Sequence, residues 1–141
     1  MHGSHRLRVA AAALLAASLV APGCTRRQLD PMTALSGSQY PEEQAHAIEE
    51  LSAKATLTDE EKKALRRVTI APGLGMPVRQ QAFDLLCTVD RKGLQETLET
   101  NIVRMDSFDF RRWILEQVGS RGMKDFTTVI VNSWAGPVPI W

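Results

Sequence analysis

Three segments of the chain carry one template. Ala47-Ile48-Glu49-x-Leu51-Ser52, Ala82-Phe83-Asp84-x-Leu86-Cys87 and Ile114-Leu115-Glu116-x-Val118-Gly119 each set out two apolar residues, an acid, an apolar residue and a small residue in one order. The offsets between them are 35 and then 32 residues. Each is followed by a second stretch with helical spacing, so the repeating unit is a pair of helices. One such pair cannot bury its own apolar face; neighbours complete it, and about three units are the minimum for a stable stack. The pattern directs the chain to an all-α fold, a short α-solenoid of about three stacked helical hairpins.

The helix signals agree with that division. Pro41-Glu42-Glu43 opens the first helix, with Pro in the first turn and acids at the positive end of the dipole; Ala45, Ala47, Ile48 and Leu51 form its apolar side. Thr58-Asp59-Glu60-Glu61 has the spacing of a capping box and starts a second helix carrying Leu65 and Val68. Ala71-Pro72-Gly73-Leu74-Gly75 stops it. Pro77 starts a third, with Val78, Ala82, Phe83, Leu85 and Leu86. Asp90 caps a fourth, in which Leu94, Leu98 and Ile102 recur every four residues. Asp106 or Ser107 caps a fifth, with Phe110, Trp113, Ile114, Leu115 and Val118 inside; Gly119 and Gly122 bracket the turn to a sixth with Met123, Phe126, Val129 and Ile130. No run sustains the alternation of a strand.

The middle unit, Pro77-Val78-Arg79-Gln80-Gln81-Ala82-Phe83-Asp84-Leu85-Leu86 with Asp90 at the turn and Leu94 and Leu98 beyond it, resembles a HEAT repeat of the bacterial kind. In that family Val-Arg, Ala and Leu recur in the first helix. Phe110-Arg111 with Ile114 and Val118 follows the pattern more loosely, and the first unit lacks the Arg. The resemblance spans residues 41–134, and the same residues also suit an unrelated small α-helical bundle. The resemblance implies a curved solenoid used as a binding scaffold without intrinsic catalysis. Arg79 and Arg111 hold the same template position, where bracing of neighbouring repeats by hydrogen bonds is the favoured role and anion binding the alternative.

The N-terminus reads as an export signal. Basic His5, Arg6 and Arg8 precede an apolar run over residues 9–21, then Pro22-Gly23-Cys24, with no acid before Asp30. At about 1.5 Å per residue, such a run makes roughly 20 Å of helix, short of the about 30 Å of hydrocarbon in a bilayer. The Cys at the cut resembles the lipobox of bacterial lipoproteins, which implies lipid on Cys24 and a chain tethered to an envelope membrane. Ala21 stands where that motif has Leu or a similar aliphatic residue, and Pro22 where a small or aliphatic one is usual. An ordinary signal peptidase would cut at the same bond and leave Cys24 unmodified, giving a secreted or periplasmic protein. The expected organisation is a signal peptide at 1–23, a flexible tether at 24–40 with Pro31, Gly37 and little periodicity, and a helical repeat domain at 41–141.

Charge excludes one class of partner. The full chain has 17 Lys plus Arg and 16 Asp plus Glu; without residues 1–23 the balance is 15 to 16, and nucleic acid, which calls for a dense basic face, is not expected. The cysteines are Cys24 and Cys87, so acylation of Cys24 leaves no intramolecular disulfide, and stability must come from apolar burial. His46 lies one residue off the apolar positions of its helix and reads as a boundary side chain. Cys87 fills the slot of Ser52 and Gly119 and reads as small packing, since a reactive thiol needs cationic neighbours. No metal or cofactor is expected, because one His and one free Cys fall short of a zinc set. Glu42-Glu43, Glu49-Glu50 and Asp59-Glu60-Glu61 sit in polar company, whereas acid–base pairs need a desolvated member.

No charged residue follows Asp125, and the chain continues Trp134-Ala135-Gly136-Pro137-Val138-Pro139-Ile140-Trp141. Three readings stand for this apolar stretch: it folds back so that Trp134 and Trp141 cap the stack, it docks on a partner, or further repeats are missing. The expected function is a non-enzymatic, membrane-tethered scaffold for protein association. Its alternatives are an accessory or truncated piece of a larger enzyme or assembly, and a small-molecule binder with a pocket lined by Trp113, Phe83 and Phe126.

Overall fold

The computed structural model describes residues 29–134. Seven α-helices occupy them: α1 Pro31–Gly37, α2 Pro41–Ser52, α3 Asp59–Ile70, α4 Met76–Val89, α5 Arg91–Asn101, α6 Phe108–Ser120 and α7 Thr127–Trp134. Short 3₁₀ turns, Ile102–Arg104 and Lys124–Phe126, follow α5 and precede α7. The described residues contain no strand, and none of their helices is long and apolar enough to cross a membrane. Cys24 and Trp141, with the whole signal segment, lie outside the described residues.

Side-chain capping of the orphan N–H groups starts α3, α5 and α6, whereas α2 and α4 begin on a proline in the first turn with no side-chain cap. Thr58 accepts the Glu61 N–H at 3.2 Å while the Glu61 carboxylate accepts the Thr58 N–H at 2.8 Å, a reciprocal box. Lys54 pairs with the same carboxylate and, with the Thr58 N–H, holds it below its ordinary pKa. Asp90 accepts the Gly93 N–H at 3.3 Å to start α5. Ser107, at 3.2 Å from the Phe110 N–H, caps α6; Asp106 has other work. Gly119 lies inside α6, and the turn after that helix is made by Gly122 alone, at φ +58°.

One expectation is overturned at residues 31–37. That part of the anticipated tether is helix α1, started by Asp30, whose carboxylate accepts the Met32 N–H at 3.0 Å, and by Pro31 at N1. Its Ala34 and Leu35 are buried. Beyond Pro31, Met32, which packs partly buried against the same core, is the one other apolar side chain in the seven residues; so short a run gives no readable period, and a helix of this length stands only by packing on other elements.

The packing has a regular order. α1 rests on both α2 and α3, and α3 rests on both α4 and α5. α2 also lies against α4, and α5 against α7. The buried side chains form one continuous cluster from Ala34 to Val129, with Leu65, Phe83, Leu86, Leu94, Leu98, Phe110, Ile114 and Phe126 wholly removed from solvent. The template positions supply it: Ala47, Ile48 and Leu51, then Ala82, Phe83 and Leu86, then Ile114 and Val118 are all buried. Leu115 falls outside that set and is only half-buried.

Candidate functional site

The most unusual side chain in the fold is Arg79, a charged group with no exposed surface. The apolar spacing of α4 turns Val78, Ala82 and Phe83 inward, and Arg79 shares that face. Its Nε donates to the Thr69 carbonyl at 3.0 Å, near the end of α3, and its Nη1 donates to Asp106 Oδ1 at 2.9 Å, just before α6. The second oxygen of Asp106 accepts the Gly73 N–H at 3.0 Å. Gly73 stands at φ +79°, a conformation that glycine adopts without strain. The bond from Gly73, joined by Arg79, holds the Asp106 carboxyl below its ordinary pKa against the opposing effect of desolvation. One guanidinium on α4 thus ties the last turn of α3 to the α5–α6 loop, and Asp106 ties that loop to the α3–α4 loop.

Aromatic rings continue the seam between α4 and α6. The Arg79 guanidinium lies 4.2 Å from the centroid of the Phe110 ring. Phe110 stacks on Trp113 at 5.6 Å and 13°, and Trp113 meets Phe83 edge to face at 5.2 Å and 74°. Arg121 lies 5.7 Å from the centroid of the Phe83 ring and donates to Asp84 at 2.5 Å. Arg79 Nη2 is buried without a hydrogen-bond partner, so the Phe110 face is the favourable contact on that side. The seam is filled by its own rings: Phe83 and Trp113 touch each other, while Phe126 is buried elsewhere, beside Arg91 at 5.6 Å.

Arg111 does not repeat the geometry of Arg79. It is half-buried on α6, 5.5 Å from the ring of exposed Phe108. The third occupant of the slot was missed because it is not an arginine. Gln44 stands in the first template where Arg79 and Arg111 stand in the others; it is buried, and its Nε2 donates to the Ser38 carbonyl at 3.1 Å. Gln44 therefore does at the end of α1 what Arg79 does near the end of α3. The signal was the position three residues before the template, read for hydrogen-bonding capacity instead of charge.

A second line of ion pairs joins α3, α5 and α7. Arg66 on α3 pairs with Asp90 at the start of α5. Arg91 holds Asp125, before α7, through two bonds of 2.6 and 2.7 Å, which depress the Asp125 pKa and raise that of Arg91. Asn132 on α7 donates to the Glu99 carbonyl of α5 at 2.9 Å. Beside this line an open cleft of about 540 Å³ runs along α5, lined by Arg66, Asp90, Lys92, Glu96, Thr97, Thr100 and Asn101.

The remaining candidates are placed as follows. Cys87 is half-buried, and burial pushes its thiol pKa up despite the nearby Arg121, so the thiolate is disfavoured. His46 is exposed, within 3.2 Å of Glu50 and 3.7 Å of Glu49 on its own helix. Among the described residues no three His, Cys, Asp or Glu side chains are grouped to hold a metal ion. Trp134 ends α7 with 81% of its surface exposed. Compared with protein-family models, curated proteins and solved structures, the chain matches none of them.

Proposed function

We propose that the chain is an exported scaffold, lipid-anchored through Cys24 to a bacterial envelope membrane, whose helical domain associates with protein partners and does no chemistry of its own. In this reading the helices form a short solenoid of stacked hairpins of HEAT type: α2 with α3, α4 with α5 and α6 with α7, preceded by α1. The order of packing, with α2 on α4 and α3 on α5, supports the stack. The anchor rests on the sequence of residues 1–24 alone.

The observation that carries the association reading is the cleft along α5. Its lining alternates in charge, with Arg66, Lys92, Asp90 and Glu96, and adds the hydroxyls and amide of Thr97, Thr100 and Asn101. Such a surface offers donors and acceptors to a polypeptide backbone and side chains, and two of its lining residues, Arg66 and Asp90, are fixed by pairing with each other. It is open and polar, whereas small-molecule sites are concave and mostly apolar.

A photo-crosslinking residue at position 100, in the cleft, tests the reading against one at exposed Glu116 on α6. The expected result is one or a few discrete adducts from position 100 in cells, weakened by Glu96→Arg, with none from position 116. The same adduct pattern from both positions would remove the cleft as the interaction surface. Membrane fractionation beside Cys24→Ser tests the anchor, which predicts that the wild type sediments with membranes and the variant does not.

A further inference from the structure

The hydrogen bonds inside the α5 cleft are unequally spent. Thr97 Oγ1 donates to the Gly93 carbonyl at 2.7 Å, and Thr100 Oγ1 to the Glu96 carbonyl at 3.0 Å. Asn101 Nδ2 donates to the Thr97 carbonyl at 2.7 Å. A hydroxyl has one proton to give, so both threonines can only accept from a group outside the helix. The Asn101 amide is oriented by the same logic: a carbonyl only accepts, so the amide nitrogen faces it and Oδ1 is left to accept elsewhere. Glu96, when ionised, is also an acceptor alone. Among the described residues no donor reaches these side-chain oxygens except Lys92, 3.8 Å from Glu96.

We infer that this half of the cleft, from Glu96 to Asn101, receives the guanidinium of an arginine side chain on the partner polypeptide. The inference rests on the reading of the cleft as the association surface. Residues 96, 97, 100 and 101 stand at i, i+1, i+4 and i+5 along the cleft wall, and side chains four apart on a helix are neighbours, about 5–6 Å between Cβ atoms. Acceptors spaced along an edge suit a planar fork of N–H donors better than the point charge of a lysine ammonium. The cations that line the cleft stand toward its other end and do not fill this one. Arg66 is committed to Asp90, at the start of α5. Lys92 is 88% exposed and meets a Glu96 carboxylate that is itself 64% exposed, a pairing that contributes little. Lys92 therefore turns into solvent when a guanidinium arrives. The incoming donors gain the oxygens of Thr97, Thr100 and Asn101, to which Lys92 makes no bond.

Titration of the isotope-labelled full chain with N-acetylarginine amide, followed by the amide resonances of Thr97, Thr100 and Asn101, tests it. The corresponding citrulline amide is the uncharged isostere, and inorganic phosphate is the anion control. The arginine compound is expected to shift these resonances saturably, and the citrulline compound at the same concentrations to leave them in place. Glu96→Gln is expected to weaken the arginine response about threefold, and Lys92→Ala, which removes the competing cation, to tighten it by about the same factor. Both side chains are exposed, so neither change endangers the fold. Equal responses to arginine and citrulline, a weaker arginine response in Lys92→Ala, or a larger response to phosphate overturns the proposal. Photo-crosslinking from position 100 separates it from the reading on which it rests. Discrete adducts in cells without an arginine response leave the cleft an association surface and sink the arginine site. An arginine response with no adduct leaves the guanidinium site and removes the association reading.

Discussion

A guanidinium with no exposed surface requires a fixed anion, and at Arg79 it comes from the loop before α6; the Thr69 carbonyl of α3 takes a second donor, and Nη2 has no hydrogen-bond partner. Removing Asp106 leaves the charge buried without its counterion, while removing both members leaves an uncharged gap. Asp106→Ala is therefore expected to cost on the order of 2–3 kcal/mol in urea unfolding, less than for a fully enclosed pair because Asp106 is partly exposed. The double variant Arg79→Met with Asp106→Ala is expected to cost less than the sum of the single changes; additive costs would mean that the two side chains do not depend on each other. The pair also sets a pH dependence. The Asp106 pKa is lowered on folding, so the unfolded state binds the proton more tightly. Its stabilisation is complete above the ordinary carboxylate value of about 3.9 and is lost as the pH falls through the depressed folded value. Asp30, Glu61 and Asp125 are shifted in the same direction. Stability is expected to fall steeply below about pH 4, with a shallower acid limb in Asp106→Asn, as measured by urea midpoints across pH.

At the scale of the element, helix boundaries depend on single residues. Gly93 sits in the first turn of α5, where a Cβ would stand 2.6 Å from Arg66 Nη1 and against both oxygens of the Asp90 cap. Ala in a helix usually gains roughly 0.5–1 kcal/mol over Gly. Here Gly93→Ala is expected to reverse that sign and lose about 1 kcal/mol, since the cap and the Arg66 pair must move. Thr58→Ala, which opens the capping box of α3, is expected to lose about 1 kcal/mol as well. Thermal or urea unfolding of each variant checks both; a stabilised Gly93→Ala would show that the Asp90–Arg66 pair yields freely. The elements whose starts carry such chemistry were legible in the sequence: Thr58, Asp90 and the prolines at positions 41 and 77 mark α2 to α5 where they form. Helix α1 was not legible, because its stability lies in the surfaces of α2 and α3 and not in its own seven residues. The seam was legible in part. The shared slot of Arg79 and Arg111 marked a bracing position, but Asp106 read as a cap, since nothing in the sequence near residue 106 says that a loop 33 residues earlier will present an N–H to it.

For the whole molecule the question is whether the helices unfold in parts or together. If the helices form the proposed solenoid, stability divides between its units and the interfaces that join them. Polar ties join neighbouring elements beside the apolar packing: Arg79 on α4 to Thr69 of α3 and to Asp106 before α6, Arg66 and Asp90 between α3 and α5, Arg91 and Asp125 between α5 and α7. The single buried cluster has no break along its length. Strong coupling across so few units favours one transition. Phe83 is the best point at which to test this, since it is wholly buried on α4 and meets Trp113 of α6. Phe83→Ala is expected to cost about 3–4 kcal/mol through lost burial and the cavity left behind. With coupled units, far-UV ellipticity and tryptophan emission shift together to a lower urea midpoint, the slope of the transition stays that of the wild type, and exchange protection falls in α3 and α5 by the same factor as in α4. With weakly coupled units, Trp113 emission changes first and α2 and α3 keep the wild-type midpoint. The ties between neighbouring helices predict the former, and two separated transitions in this variant would show that they bind neighbours too weakly to make the helices a single cooperative body.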